Sequence, residues 1–388
     1  MKWLRNIIDV WFYDIKNALL DEGALVFFII VPLLYPLLYA YLYGNEKAFD
    51  VPAVAVDCCN SYNSREFLRM ADGTPDIRIV AHCADMQEAL EHINRKEAYG
   101  LIYIPKEFDR DLMSLQQTTV ELYCDMSGLL YYKAILSGCT DVSLQMNKTI
   151  KASRMPGATD EQISAAQYPI EYEYVPMFNT QSGFATYMIP AILMLIIQQT
   201  MLFGVGMIAG EEREKIRKGI AEPHLIGKKP HEILIGKACV YFAIYIIIAA
   251  YMVCIVPQMF HLIHIWDWRT MLAFMFPYVL SCVFFCITIA GMSHDREAFI
   301  ITFVFMSIPL TFLSGISWPG SNIPHFWKVF SWIMPSTLGI NGYVRISEMG
   351  AHLADVMPEI IGLWIQTGVY FIMAYTVYRK TYSKQLFV

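Results

Sequence analysis

The densest set of chemically active side chains lies in residues 210–237, which read GEEREKIRKGIAEPHLIGKKPHEILIGK and include twelve charged residues. Each charge buried in lipid costs about 2.5 kcal/mol or more, so this segment must face water or protein. A charged segment between two apolar stretches is suited to electrostatic docking, through which a membrane protein could receive force from a cytoplasmic motor. A plain positively charged loop is the alternative, and the residues alone favour neither.

The chain carries no recognisable nucleotide-binding or catalytic motif. Gly227 and Lys228 are followed by Lys229 instead of Ser or Thr, and Glu222 stands where a P-loop needs its first glycine. HExxH, GxSxG and paired intramembrane aspartates are also missing from the sequence. We therefore interpret the chain as a non-catalytic subunit without a metal or cofactor, and ATP hydrolysis, if it drives the protein, belongs to a separate chain.

Two adjacent amides, Gln198 and Gln199, interrupt an otherwise apolar stretch. Polar side chains inside a membrane either line a path for a polar solute or form hydrogen bonds across helices. The sequence leaves both interpretations open.

Composition indicates a membrane protein. The 388 residues are 56% hydrophobic and only 16% charged, with a mean hydropathy of +0.40. Residues 24–43 contain no charge, and about 20 such residues match the hydrocarbon core of a bilayer. The apolar segments predict six transmembrane helices, at 23–43, 183–209, 238–257, 270–292, 298–316 and 360–378.

The distribution of Lys and Arg predicts the orientation. If the N-terminus is cytoplasmic, the inner segments are 1–22, 210–237, 293–297 and the tail 379–388, which hold 14 of the 29 basic residues. The short outer segments hold three, and the positive-inside rule does not count the long loop. Both termini are therefore predicted to be cytoplasmic. The formal net charge of −6 argues against nucleic-acid binding.

Three further segments predict structures other than transmembrane helices. Residues 1–22 predict an amphipathic helix in the cytoplasmic interface or packed against a partner. Residues 44–182 predict an α+β extracytoplasmic domain with strands at 51–57, 76–82, 98–104, 119–125 and 170–176. Residues 317–358, rich in Trp, Pro and Gly, predict a re-entrant or interfacial segment, with an ordinary outer loop as the alternative. The predicted fold class is thus an α-helical polytopic membrane protein with an inserted α+β extracytoplasmic domain.

Four motifs in their order along the chain resemble those of an ABC-2 type permease, the membrane subunit of bacterial ABC exporters with a large extracytoplasmic loop. They are VAVDCCNSYNSREFL, GLIYIPKEFDRDL, the Glu-Arg-Glu-containing segment that ends in PHEILIGK, and LSGISWPGSNIPHFWKVFSWIMPST. The resemblance covers essentially the whole chain.

The resemblance implies a permease in the bacterial inner membrane, coupled to two copies of an ABC ATPase subunit and to a second permease, either identical or similar. It implies an exporter of an amphipathic substrate such as a drug, a lipid-like molecule or a glycan. The ATPase would dock on the N-terminal helix and on the segment after the second span. The implied ATPase-coupling residues are Glu211, Glu212, Arg213, Glu214 and Lys215. The alternative function is a membrane-anchored extracytoplasmic sensor or scaffold.

Overall fold

The computed structural model divides into two compact units, one formed by Met1–Gly44 with Met177–Val388 and the other by Asn45–Pro176. It describes residues 2–44, 47–114, 116–155, 183–220, 225–262, 267–292 and 320–382, with isolated positions between these ranges. Most of the predicted strand at 170–176 and most of the predicted span at 298–316 lie outside the described residues.

Helices dominate the described residues. In chain order they are α1 (Lys2–Leu20), α2 (Glu22–Leu42), α3 (Tyr62–Asp72), α4 (Met86–Asn94), α5 (Phe108–Met113), α6 (Leu129–Arg154), α7 (Phe184–Arg217), α8 (Pro230–Met259), α9 (Trp268–Met292), α10 (His325–Ser331), α11 (Pro335–Met349) and α12 (Met357–Tyr382).

The Asn45–Pro176 unit is built on a four-stranded sheet. The strands are β1 (Val51–Asp57), β2 (Ile77–Cys83), β3 (Gly100–Ile104) and β4 (Glu121–Cys124), in the order β2-β1-β3-β4. β1 runs parallel to β2 and β3, and β4 is an antiparallel edge strand. These four strands begin and end close to their predicted bounds, because their alternating β-branched residues match a pleated sheet.

Apolar side chains cover both faces of this sheet. One face of β1, with Val51, Ala53 and Ala55, packs against α3, α5 and α6. The other face, with Val54 and Val56, packs against α4. A strand that is buried on both sides reads as a continuous apolar run, as VPAVAVD does. The unit therefore has its own core.

Five of the described helices are long and apolar enough to span a membrane: α2, α7, α8, α9 and α12. α7 and α9 lie mostly inside the unit, whereas α2 and α12 leave most of their apolar surface exposed. Pro32 and Pro257 each follow a π-helical turn, Val26–Ile30 and Tyr251–Ile255. Such turns accommodate the carbonyls that proline leaves without an amide partner.

α7 extends further than the predicted span at 183–209. It continues without a break through Arg217, so the first eight residues of the predicted loop at 210–237 are helical. Its 34 residues make a helix of about 51 Å, well beyond the ~30 Å core of a bilayer. Helix α8 begins at Pro230, whose fixed φ and missing N–H suit the first turn of a helix. The predicted loop is thus mostly the projecting ends of two helices.

Residues 317–358 include two helices, α10 and α11, of which α11 is closely packed. A Cβ on Gly339 would lie 2.2 Å from the Tyr278 ring, and one on Gly342 would lie 2.2 Å from the Phe274 ring. Glycine at both positions therefore lets α11 approach α9 closely. The side chains of Trp318, Trp327 and Trp332 are exposed.

Candidate coupling site at the charged helix ends

Helix α1 packs lengthwise on the N-terminal half of α8. Its buried stripe consists of Ile7, Val10, Asp14 and Ala18. Gly236 of α8 makes room for this stripe, because a Cβ there would lie 2.7 Å from the Cβ of Val10. The apolar residues Leu4, Ile8 and Phe12 of α1 remain exposed. One face of α1 therefore packs on α8, and a second, apolar face of α1 remains exposed.

A hydrogen bond ties the start of α1 to the start of α8. Asn6 Nδ2 donates to Glu232 Oε2 over 3.0 Å, and the backbone N–H of Lys229 donates to the same oxygen over 3.0 Å. Glu232 is buried, and these hydrogen bonds and the neighbouring Lys229 charge stabilise its carboxylate. The contact fixes the register of α1 along α8.

One turn deeper, three buried charges from three helices meet. Lys237 of α8 pairs with Asp14 of α1, with 3.4 Å between Nζ and Oδ1, and with Glu212 of α7. All three side chains are almost completely excluded from solvent. Tyr378 of α12 is close enough to interact electrostatically with Lys237. We call Asp14, Glu212 and Lys237 the buried charge cluster.

The cluster makes the ends of the three helices mechanically dependent on one another. A charge buried without its partner costs several kcal/mol, so breaking one pair by moving α7 away from α1 or α8 is strongly unfavourable. The buried charge cluster therefore holds the three helix ends together.

The five predicted coupling residues separate into two groups. Glu212 belongs to the buried charge cluster. Glu211 pairs with Lys215 across one turn of α7, with 2.8 Å between Oε1 and Nζ, and both side chains are half-buried. Glu214 pairs in the same way with Lys218 over 2.7 Å, and these two side chains are 48% and 62% exposed. The end of α7 therefore presents charges to solvent on one side and locks a charge into the protein on the other.

An open acidic hollow lies beside this end of α7. Asn17 and Leu20 of α1, Asp21, Glu22 and Gly23 at the start of α2, and Glu211 of α7 line it. Its lining within the described residues includes three carboxylates and no basic side chain. The hollow is suited to receive a basic side chain from another protein.

The two adjacent glutamines have different environments. Gln198 is completely buried, and its Oε1 accepts a 2.7 Å hydrogen bond from the Ser336 N–H in the first turn of α11. That bond satisfies one of the amide groups that the start of every helix leaves without a helical partner. Gln199 has neither amide atom hydrogen-bonded among the described residues, although both atoms are buried. Gln198 thus holds α11 in place through Oε1, while its Nε2, like both amide atoms of Gln199, has no hydrogen-bond partner among the described residues.

Asp14 and Lys237 were not among the residues predicted from the sequence. The available signals were an acidic residue in the i, i+3, i+4 stripe Ile7, Val10, Asp14, Ala18, and a single lysine inside an apolar run. Each signal is weak alone. Only their meeting across three helices indicates a common role.

Comparisons with known proteins agree with one another on the family of this chain. The family described as ABC-2 family transporter protein matches residues 23–376. A protein described as "Probable multidrug ABC transporter permease YbhR", from Escherichia coli strain K12, is 25% identical over 311 residues, which are 76% of this chain and 77% of that protein. Its counterpart from Escherichia coli O157:H7 matches to the same extent.

Proposed function

This chain belongs to the ABC-2 family of transporter permeases. From that premise we propose that it is the membrane subunit of an ATP-driven exporter. The charged ends of α1, α7 and α8 couple it to a separate ATPase chain. The observation that carries the proposal is the buried charge cluster, which joins these three helix ends directly behind the exposed charges of α7. The family match gives no support to the alternative of a membrane-anchored sensor or scaffold.

The proposed topology has six spans, with residues 298–316 as the fifth and both termini in the cytoplasm of a bacterial cell. The Asn45–Pro176 unit then lies outside the inner membrane. The preference of Lys and Arg for the proposed inner segments supports this orientation. In the same orientation, the exposed end of α7 and helix α1 share the cytoplasmic side.

The proposed transmission of force depends on one side of α7 being exposed and the other being buried. The exposed charges at Glu214 and Lys218, with Arg213 and Lys215 on the same projecting turns, form the docking surface for the ATPase. The acidic hollow beside Glu211 accepts a basic group of that partner. When ATP closes a pair of ATPase subunits, the docked end of α7 moves, and Glu212 passes the displacement through Lys237 to α8 and through Asp14 to α1.

The translocation path is proposed to form between this permease and a second copy or a similar chain. Gln199 is the preferred polar residue for that path, because its buried amide has no hydrogen-bond partner among the described residues and an unsatisfied amide in a membrane is costly. The substrate is proposed to be amphipathic, such as a drug, a lipid-like molecule or a glycan. The description of the Escherichia coli relatives as multidrug permeases favours a drug among these.

A charge swap tests the docking surface. Glu214→Lys combined with Lys218→Glu preserves the ion pair one helical turn apart but reverses the charges shown to a partner. We expect the ATPase that co-purifies with the wild-type chain to be lost, together with ATP hydrolysis by the reconstituted complex. The matched control is Glu91→Arg combined with Arg95→Glu, which swaps a similarly exposed i, i+4 pair at 3.1 Å in the other unit.

Two results would contradict the proposal at different levels. Retention of the ATPase by the Glu214/Lys218 swap would show that α7 does not form the docking surface. Absence of any P-loop ATPase from the purified wild-type complex, combined with no effect of ATP on transport, would overturn the exporter function itself.

A further inference from the structure

A second group of chemically active residues lies in the Asn45–Pro176 unit, where β2 connects to α4. β2 ends at Cys83, whose side chain is buried, and α4 begins three residues later at Met86. Glu88 and His92 are four residues apart on α4 and therefore share one face of the helix. The connection is short enough to bring that face over the end of β2.

Three different ligand types converge there. The Cys83 sulfur, a carboxylate oxygen of Glu88 and a ring nitrogen of His92 all lie within 4.8 Å of one another. Ligand atoms around a tetrahedral zinc ion are about 3.4 Å apart, given metal–ligand bonds of about 2.0–2.3 Å. Small adjustments of the exposed Glu88 and the half-buried His92 side chains about their hydrogen bonds cover the remaining distance, because neither side chain is enclosed by the core.

The backbone holds Glu88 in place. Asp85 caps α4 by accepting a 2.9 Å hydrogen bond from the Glu88 N–H, and Glu88 Oε2 accepts a 2.7 Å hydrogen bond from the Ala84 N–H. These two hydrogen bonds at the start of α4 orient the Glu88 carboxylate and leave its second oxygen available.

A second carboxylate orients His92. His92 Nδ1 lies 2.6 Å from Glu97 Oε2, and an ionised carboxylate only accepts hydrogen bonds. The proton of a neutral imidazole therefore lies on Nδ1, and Nε2 keeps its lone pair. A carboxylate behind a histidine is the usual outer-shell arrangement at zinc sites, where it fixes the ring and raises the basicity of the free nitrogen.

The charge around the site is also that of a cation site. Asp85 and Glu88 place two carboxylates at the start of α4, and Glu97 places a third against His92 beyond its end. Cys83 at the end of β2 adds a thiol that becomes anionic when it binds a metal. A mixed sulfur, nitrogen and oxygen set is one that zinc accepts readily, whereas magnesium and calcium prefer oxygen ligands alone.

We propose that Cys83, Glu88 and His92 bind one zinc ion, with Glu97 as the positioning residue for His92 and the fourth coordination position open to water or to another ligand. Three protein ligands with an open position make a site at which the ion can exchange, unlike a closed structural site. The Asn45–Pro176 unit would thereby respond to the zinc concentration on its side of the membrane, which goes beyond the transport function proposed above.

Metal titration of the full-length protein in detergent tests this site. We expect one Zn²⁺ per chain, and one Co²⁺ in its place with the absorption band of a thiolate–cobalt bond. Cys83→Ser should abolish that band, and His92→Gln and Glu97→Gln should each weaken zinc binding at least tenfold. The controls are His82→Gln and Cys59→Ser. His82 precedes Cys83 on β2 and so points to the opposite face of the sheet, and both controls should bind zinc like wild type.

A measurement on the unmodified protein removes any dependence on how the variants fold. Zinc should slow alkylation of Cys83 by N-ethylmaleimide at least tenfold, while Cys59 in the same molecules reacts at an unchanged rate. The proposal is overturned if Co²⁺ gives no thiolate band with wild-type protein, if Cys83 is not protected, or if the ligand variants change zinc affinity less than twofold.

Discussion

At the scale of single residues, neighbouring charges on one helix have opposite roles because of the helical period. Glu212 and Glu214 are two positions apart, so their side chains point about 200° away from each other around α7. One is buried against Lys237, and the other is exposed beside Lys218. The segment GEEREK therefore contains both the proposed docking surface and an internal anchor, and a substitution should have a different consequence in each.

Replacing Lys237 with methionine removes the cation that the two buried carboxylates share. We expect Lys237→Met to destabilise the protein by about 3–5 kcal/mol, since Asp14 and Glu212 are left as buried like charges. Denaturant unfolding of the purified protein in mixed micelles measures the loss. Lys218→Met, which breaks an exposed pair on the same helix end, should leave the unfolding midpoint almost unchanged.

A combined variant distinguishes charge from packing at this cluster. Asp14→Asn, Glu212→Gln and Lys237→Met together remove all three charges and should recover most of the stability that Lys237→Met loses. Recovery of less than about 1 kcal/mol would mean that uncompensated charge is not the cause of the loss, since methionine keeps most of the apolar stem of lysine in both variants.

The two adjacent glutamines should also respond differently to the same substitution. Gln198→Leu removes the acceptor for the Ser336 N–H at the start of α11 and should destabilise the protein by about 1–3 kcal/mol. Gln199→Leu replaces an amide without a described partner and should leave stability unchanged or higher while reducing transport. Unfolding in detergent and transport by proteoliposomes measure the two effects. Equal destabilisation by both changes would contradict the separate roles.

At the scale of elements, the decisive contact is the close approach of α1 to α8. Helices approach closely in membrane proteins where a small residue faces the partner, and Gly236 faces Val10 in this way. The approach also determines the distance from Asp14 to Lys237, because this pair and the pair Val10 and Gly236 lie along the same contact between α1 and α8. The packing of α1 and the geometry of the buried charge cluster are thus one feature.

A single methyl group at Gly236 should separate these helices. We expect Gly236→Ala to lower stability by about 1–3 kcal/mol, because the new Cβ would lie 2.7 Å from Val10. Trypsin should then cut α1 faster at Lys2, Arg5 or Lys16. Gly368→Ala in α12 is the matched control, since a Cβ there has no neighbour within 4 Å among the described residues, and it should change neither measurement. Similar proteolysis of both variants would show that α1 is not held by this contact.

At the scale of the whole molecule, the chain combines a helical unit with a sheet unit inserted after α2. The two units have separate hydrophobic clusters, so each obtains its stability from its own core. This independence means that a change at the charged helix ends should leave the sheet unit folded. It also allows one accessible residue in each unit to report on topology.

Cysteine labelling in intact cells tests the proposed topology. Arg95 and Lys218 are nearly equally exposed, at 64% and 62%, so Arg95→Cys and Lys218→Cys should react equally well when a reagent can reach them. We expect a membrane-impermeant maleimide to label Cys at position 95 in intact cells and Cys at position 218 only after permeabilisation. Mass-spectrometric mapping separates these sites from the native cysteines, and the reverse pattern would invert the proposed orientation.

Local patterns in the sequence were sufficient for five of the six predicted spans, for the four described strands and for the family. The apolar runs that become α2, α7, α8, α9 and α12 follow from length and lack of charge, and the strands β1 to β4 follow from alternation. These are short-range properties, because partition into lipid and the pleat of a strand depend on neighbouring residues only. The four motifs of the ABC-2 resemblance are likewise contiguous, and the family match agrees with them.

Only the tertiary structure decided which polar residues act together. Asp14 and Lys237 are 223 positions apart, Gln198 and Ser336 are 138 apart, and their partners depend on how helices cross and rotate. The sequence grouped Glu211 to Lys215 because they are adjacent, whereas the structure separates Glu212 from the exposed residues around it. Burial decides this division: a charge inside the protein is stable only beside its counter-charge, and that counter-charge comes from helices distant in sequence.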